Sequence, residues 1–186
     1  MQKFYKLNIA GLSRELKLCP LNDNINIAAF ILFGDVELTS CCAKELLRLA
    51  PEYDIMITSE SKGIPLIFEM ARQANVNNYV VARKMKKLYM SNILSCDVNS
   101  ITTAQKQTLY LDEKDVELIK NKKVLIVDDV ISTGDSIRAI EELVNKAGGT
   151  VVGKMAVLAE GDAKYREDII YLEHLPLFDS NGIPLK

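Results

Sequence analysis

Two adjacent carboxylates, Asp128 and Asp129, follow the continuously apolar run Val124-Leu125-Ile126-Val127 and precede Val130-Ile131-Ser132-Thr133-Gly134-Asp135-Ser136. A buried strand that delivers paired acids at its carboxyl end can bind neighbouring hydroxyls of a sugar, one per carboxylate. The Ser-Thr-Gly turn then opens a helix. Its backbone N–H groups, with the hydroxyls of Ser132, Thr133 and Ser136 beside them, make a phosphate cradle. Taken singly, the acids read as a solvated strand end and the turn as helix capping. Their order along the chain is what points to a phosphorylated sugar. The other common phosphate motifs, G-x-x-x-x-G-K-[ST] and G-x-G-x-x-G, are absent.

Two further stretches carry charge in a pattern. Thr58-Ser59-Glu60-Ser61-Lys62-Gly63-Ile64 is a polar turn after the β-branched run Asp54–Thr58. Arg83-Lys84-Met85-Lys86-Lys87-Leu88 places four cations in five residues directly after the apolar run Tyr79–Ala82. Most charge runs are solvated turns. This one follows a buried strand and opens a Ser-, Asn- and Thr-rich stretch from Lys84 to Gln107 without sustained periodicity, a length that compact domains reserve for lids.

The elements that must position these groups alternate. Phe4–Ile9 and Glu15–Leu21 suggest two strands with a turn near Gly11–Ser13. Ala43, Leu46, Leu47 and Ala50 share a helical face closed by Pro51, and Pro65 to Gln73 reads as a second helix. Asp54–Thr58, Tyr79–Ala82, Val124–Val127 and Thr150–Leu158 read as strands, and Asp135–Lys146 as a helix stopped by Gly148-Gly149. Strands alternating with helices predict an α/β fold, a mostly parallel doubly wound sheet whose ligands bind beyond the carboxyl ends of the strands.

Composition sets the outer bounds. A chain of 186 residues, 48% apolar, makes one domain over 1–186 that buries about 70% of its unfolded surface. With 23 basic and 25 acidic residues the net charge is −2, so no overall positive field favours nucleic acid and any anion site must be local. Cys19, Cys41, Cys42 and Cys96 lack metal-ligand spacing, and His174 has no second histidine to complete a zinc site. They read as reduced thiols of a cytoplasmic protein. No apolar run approaches a membrane-spanning length, so no membrane partner is expected.

The Val124–Ser136 segment resembles the signature with which type I phosphoribosyltransferases bind phosphoribosyl pyrophosphate (PRPP). Thr58–Ile64 looks like the pyrophosphate loop of the adenine phosphoribosyltransferase group, and Arg83–Leu88 is similar to that group's Arg-Lys-x-x-Lys-Leu segment. The resemblance implies a purine phosphoribosyltransferase of nucleotide salvage, adenine the first expected base, xanthine or hypoxanthine the next, with a catalytically inactive PRPP-binding regulator as the alternative. Asp128 and Asp129 would hold the ribose hydroxyls, at times through Mg²⁺, and favour the cationic ribose of the transition state. Ser132, Thr133, Gly134, Asp135 and Ser136 would bind the 5′-phosphate. Ser59, Glu60, Ser61, Lys62 and Gly63, with Lys84, would bind pyrophosphate, and Arg83 and Lys87, with Mg²⁺, would neutralise it as it leaves. Residues 84–107 would be a flexible active-site loop, Tyr89–Lys106 closing over the site. Approximately 1–38 and 160–186 would form a small hood, with Phe33 or Phe178 available to stack on the base, and a homodimer is expected.

The chain departs from its family pattern at three places. Thr103-Ala104 stand where the adenine group carries a loop Glu-Tyr pair. Ser132 stands where hypoxanthine–guanine enzymes carry an aspartate. Asp135 replaces the common Gly, in the first turn of a helix where it favours the dipole and repels phosphate unless it points away. No general base is thereby assigned, and Glu60 and Glu160 are the available carboxylates.

Overall fold

A computed structural model of the protein describes residues 2–98 and 107–185. Along the chain run β1 (Phe4–Ile9), β2 (Leu12–Pro20), β3 (Ile25–Ala28), α1 (Val36–Leu49), β4 (Ile55–Ser59), α2 (Ile64–Gln73), β5 (Val80–Ala82), β6 (Leu94–Val98) and β7 (Gln107–Leu111). They are followed by α3 (Glu113–Ile119), β8 (Lys123–Ile131), α4 (Asp135–Lys146), β9 (Thr150–Glu160), a 3₁₀ turn (Gly161–Tyr165), β10 (Ile170–Leu175) and β11 (Phe178–Asp179).

The central sheet has the order β10-β9-β8-β4-β5, every neighbouring pair parallel. Its middle strands are sealed on both faces: all five residues of β4 are buried, as are Val124 to Asp129 of β8, which is why both read as unbroken apolar runs up to their carboxyl ends. The helix α4 meets the sheet with Ile137, Ile140, Leu143 and Val144, spaced at three and four residues so that they share one face. One core, shared with α1, α2 and the small sheet, fills one side; the other is packed by α4, Ile119 of α3 and the β6–β7 pair.

The small sheet, ordered β1-β2-β3-β11 and antiparallel throughout, sits over the first of these cores. Its hairpin turns at Ala10-Gly11, both at positive φ. Arg14 of β2 fastens it to α1: the guanidinium lies 2.7 Å from Asp35, whose carboxylate also accepts from the Leu38 N–H as the helix cap. The Arg14 hydrogen bond holds the Asp35 carboxyl below the ordinary carboxylate range.

The structure departs from the sequence reading at four points. β8 continues through both acids to Ile131 instead of ending before them. The stretch expected to be aperiodic contains β6, which pairs antiparallel with β7 from Leu94↔Leu111 to Val98↔Gln107. From the tail, β10 belongs to the central sheet, parallel to β9, and only β11 crosses to the small sheet. Phe178 is fully buried there, edge-on to Tyr5 at 5.0 Å between ring centroids, so it packs the core beneath the small sheet and is not free to stack on a base; Phe33 is exposed. All four cysteines are free, and burial pushes the Cys42 thiol up to about 12 and that of Cys96 to about 11. Among the described residues no helix is long and apolar enough to cross a membrane.

Candidate active site

From β4 the chain crosses by α2 to β5 on one side, and from β8 by α4 to β9 on the other, so the strand order reverses between β4 and β8. That reversal opens a crevice at the carboxyl ends, the place where such sheets bind ligands. The pairing of β4 with β8 ends at Ile57↔Ile126, whereas β8 runs five residues farther. The freed edge is occupied by the loop after β4. Ser61 Oγ donates to Asp128 Oδ1 at 3.3 Å, and the same oxygen accepts from the Asp129 N–H at 2.9 Å. A Cβ on Gly63 would stand 2.8 Å from Thr58 Oγ1 and 3.1 Å from Asp128 Oδ1, so only glycine lets the loop lie this close.

Asp128 and Asp129 are 6% and 4% exposed. Burial, and then the charge of Asp129, push the Asp128 carboxyl well above the ordinary carboxylate range. Lys62 Nζ stands 3.2 Å from Asp129 Oδ2 and donates to the Phe30 carbonyl at 2.8 Å, bridging the acids to the segment after β3. At this end of the sheet the buried Thr58 Oγ1 has no hydrogen-bond partner among the described residues, and the buried Asp129 Oδ2 has only the Lys62 ammonium beside it. Buried polar atoms are rarely left so poorly satisfied.

Beyond Ile131 the chain turns through Ser132, Thr133 and Gly134 into α4. Gly134 caps the helix at φ 81°, a left-handed conformation suited to glycine. The Asp135 carboxylate folds back on the turn: one oxygen accepts from the Thr133 hydroxyl at 2.8 Å and the other from Arg138 one turn on. Asp135 is thus neutralised by Arg138 but does not point away from the turn. A residue sequence reasoning missed is Arg166, whose guanidinium a Cβ on Gly134 would strike; Asp168 grips its Nε and Nη2 at 2.9 and 2.8 Å.

The basic run lies on the other flank. The backbone of Arg83 pairs with that of Tyr110, 2.8 Å in each direction, which fixes the start of the loop against β7. Glu60 stands at its centre. The carboxylate accepts the Lys84 N–H at 3.0 Å and lies 3.4 Å from both Arg83 and Lys87, partners that hold its pKa below the ordinary value, the Lys84 N–H foremost. Arg83 also donates to the Tyr89 hydroxyl at 2.6 Å, and Lys86 turns away over the Tyr110 ring. The sequence placed Glu60 beside the anion; the structure makes it counter-ion to the cations. Thr103 and Ala104, and most of the expected lid tip, lie outside the described residues. Ser61, Lys62 and Gly63 are thus brought against Asp128 and Asp129, whereas Glu60 faces the other way and gathers Arg83, Lys87 and the Lys84 N–H.

A family model for the phosphoribosyl transferase domain matches residues 42–182. A hypoxanthine/guanine phosphoribosyltransferase of Methanothermococcus okinawensis is 31% identical over 146 residues, covering 78% of this chain and 72% of that protein. The protein of the same name from Methanococcus voltae is 29% identical over 145 residues, 78% and 71% of the two chains. In three dimensions the chain is similar to adenine phosphoribosyltransferase from Thermoanaerobacter pseudethanolicus, with a TM-score of 0.72 at 22% identity over 86% of this chain and 95% of that one. For the Saccharomyces cerevisiae enzyme the TM-score is 0.66 at 21% identity over 85% and 92%. With the buried acid pair, the glycine-dependent loop and the glycine-capped Ser-Thr-Gly turn in place, and with most of its length matched, the chain belongs to the type I phosphoribosyltransferases, pentosyl-transferring enzymes, with a fold close to that of the adenine phosphoribosyltransferases.

Proposed function

We propose that the protein transfers the phosphoribosyl group of PRPP to a purine base, forming the nucleoside 5′-monophosphate and releasing pyrophosphate. The observation that carries this reading is the Asp128–Asp129 pair, buried under the loop of Ser59 to Gly63 at the strand-order reversal, with the helix-opening turn next to it. Asp128 and Asp129 bind the ribose hydroxyls and favour the positive charge that develops on the ribose as the bond to pyrophosphate lengthens. Ser132, Thr133, Gly134, Asp135 and Ser136 present backbone N–H groups and hydroxyls to the 5′-phosphate. Lys62, Lys84, Arg83 and Lys87 hold the pyrophosphate, Arg83 and Lys87 once they exchange Glu60 for it.

The donor set suits Mg²⁺. No cluster of three or more metal-ligating side chains occurs among the described residues, but Mg²⁺ is commonly held by one or two carboxylates together with substrate phosphates and waters. Asp128 and Asp129, two adjacent buried carboxylates near the end of β8, would supply the carboxylates. When bound, the ion neutralises the pyrophosphate oxygens.

For the base, adenine is the first reading, on the fold. Hypoxanthine and guanine stand beside it because relatives at 29–31% identity carry that name. The hood of residues 1–38 and the tail beyond Leu175 encloses the base side, the lid of 84–107 excludes water, and the protein works in the cytoplasm as a homodimer. The test is pyrophosphate release with PRPP, Mg²⁺ and each of adenine, hypoxanthine, guanine, xanthine, uracil and orotate. Turnover with purines alone is expected. Tight PRPP binding with no turnover on any base would instead make the protein a PRPP-responsive regulator.

A further inference from the structure

We propose that Glu160 is the group that takes the ring N–H proton from the incoming base, a role that rests on phosphoribosyl transfer being the reaction of this site. Glu160 is the last residue of β9, and the register Ile131↔Ala159 sets it beside Ser132, where the phosphate turn leaves β8. It lines a cavity of about 450 Å³ with Ser132, Thr133, Ala163, Arg166 and Leu177, a volume within the range of about 300–1,000 Å³ typical of small-molecule sites. The cavity is therefore shared between the turn that would hold the 5′-phosphate and a wall of Ala163 and Leu177 suited to a flat apolar ring.

The carboxylate makes no ion pair among the described residues: of the cations near it, Lys62 is committed to Asp129 and the Phe30 carbonyl, and Arg166 to Asp168. Burial raises the Glu160 carboxyl above its ordinary pKa; the Ser132 hydroxyl and the Lys62 charge draw it partly back. Asp162 and Arg166 on the cavity wall and Asp129 behind Lys62 complete the charged groups around it. A half-buried carboxylate with no cation pinned to it is suited to accept a proton in a transition state.

In the step itself the C1′–O bond to pyrophosphate breaks, its electron pair leaving with pyrophosphate, while the base nitrogen forms the N–C1′ bond. The N–H bond breaks, its electrons remain in the ring, and the proton passes to a Glu160 oxygen. In reverse, protonated Glu160 returns the proton to the departing base. Every purine offers such an N–H, so the role does not depend on which one is accepted.

The experiment compares Glu160→Gln and Glu160→Asp with the unaltered chain in both directions of the reaction, with PRPP–Mg²⁺ titration alongside. Expected for Glu160→Gln is a loss in kcat of about 100-fold or more, PRPP affinity within about 3-fold, and disappearance of the acid limb of the kcat–pH profile. Glu160→Asp should keep that limb at a reduced rate. A Glu160→Gln enzyme within about 3-fold of the original in kcat, an unmoved acid limb, or loss confined to PRPP affinity would overturn the assignment. An unaltered chain that binds PRPP and turns over no base would overturn the transferase reading itself, an outcome visible before any variant is made.

Discussion

The two charged regions of the site are built in opposite ways. Asp128 and Asp129 lie in the middle of a parallel sheet, almost wholly removed from water, with one ammonium 3.2 Å from Asp129. Arg83 and Lys87 lie on a loop with about a third of each side chain exposed, both held at 3.4 Å by Glu60. Burying unpaired carboxylates costs stability, whereas exposed ion pairs are worth about 0–1 kcal/mol and exchange partners readily. Under the proposed reaction the difference matches two tasks. Charge facing a short-lived cationic ribose works best fixed in advance in a dry place, while cations that must seize and then release pyrophosphate need a counter-ion that yields easily.

The comparison breaks most sharply if the acids are neutralised. Asp128→Asn with Asp129→Asn should lower pyrophosphate release by roughly 1,000-fold, the scale on which lost transition-state electrostatics is felt; wild-type turnover would mean that the ribose binds elsewhere. Arg83→Ala with Lys87→Ala should have a milder effect, about 10- to 100-fold in kcat/KM, and the remaining activity should depend less on added salt. Measuring kcat/KM for PRPP from low to high sodium chloride checks both halves.

Stability should move in the opposite direction at the acid pair. Because the folded Asp128 carboxyl titrates above its unfolded value, the native state favours the protonated form, and the penalty for its charge grows as pH rises from the ordinary carboxylate range through the raised value. Asp128→Asn should therefore melt about 2–8 °C higher than the original chain at pH 8, on the order of 1–2 kcal/mol, and the gap should close below pH 4. A melting temperature unchanged or lower at pH 8 would mean that the pair is not under strain. The smallest effect is expected at Glu60: Glu60→Gln removes the internal competitor and should tighten inorganic pyrophosphate by about 3-fold in calorimetric titration, while a weaker complex would make Glu60 a holder of loop geometry instead.

What the sequence disclosed followed from locality. The apolar run into Asp128 and Asp129 and the Ser-Thr-Gly turn are contiguous, so strand, site and helix could be read together. β6 was readable too: Leu94-Ser95-Cys96-Asp97-Val98 alternates strictly, but its Asn- and Ser-rich flanks resembled loop. Glu60 as counter-ion was hidden because Arg83 is far along the chain and meets it only through the β4–β5 pairing. Arg166 reaches Gly134, and Glu160 reaches Ser132, only through the registers of β8, β9 and β10, which no spacing along the chain encodes. β11, two residues long, carries too little pattern to be seen at all.

That short strand also governs the order of assembly. Phe178 fills the core beneath the small sheet, and β11 pairs with β3, more than 150 residues earlier, at Phe178↔Asn26 and Asp179↔Ile25. Pairings of such long separation form late, because the intervening chain must first be drawn together. On a ribosome the hairpin of β1 and β2 emerges early yet waits for almost the whole protein before its sheet is complete. The small sheet would thus be finished last, so that a partly made chain can own the Ser-Thr-Gly turn and the acid pair while the layer above them is still open.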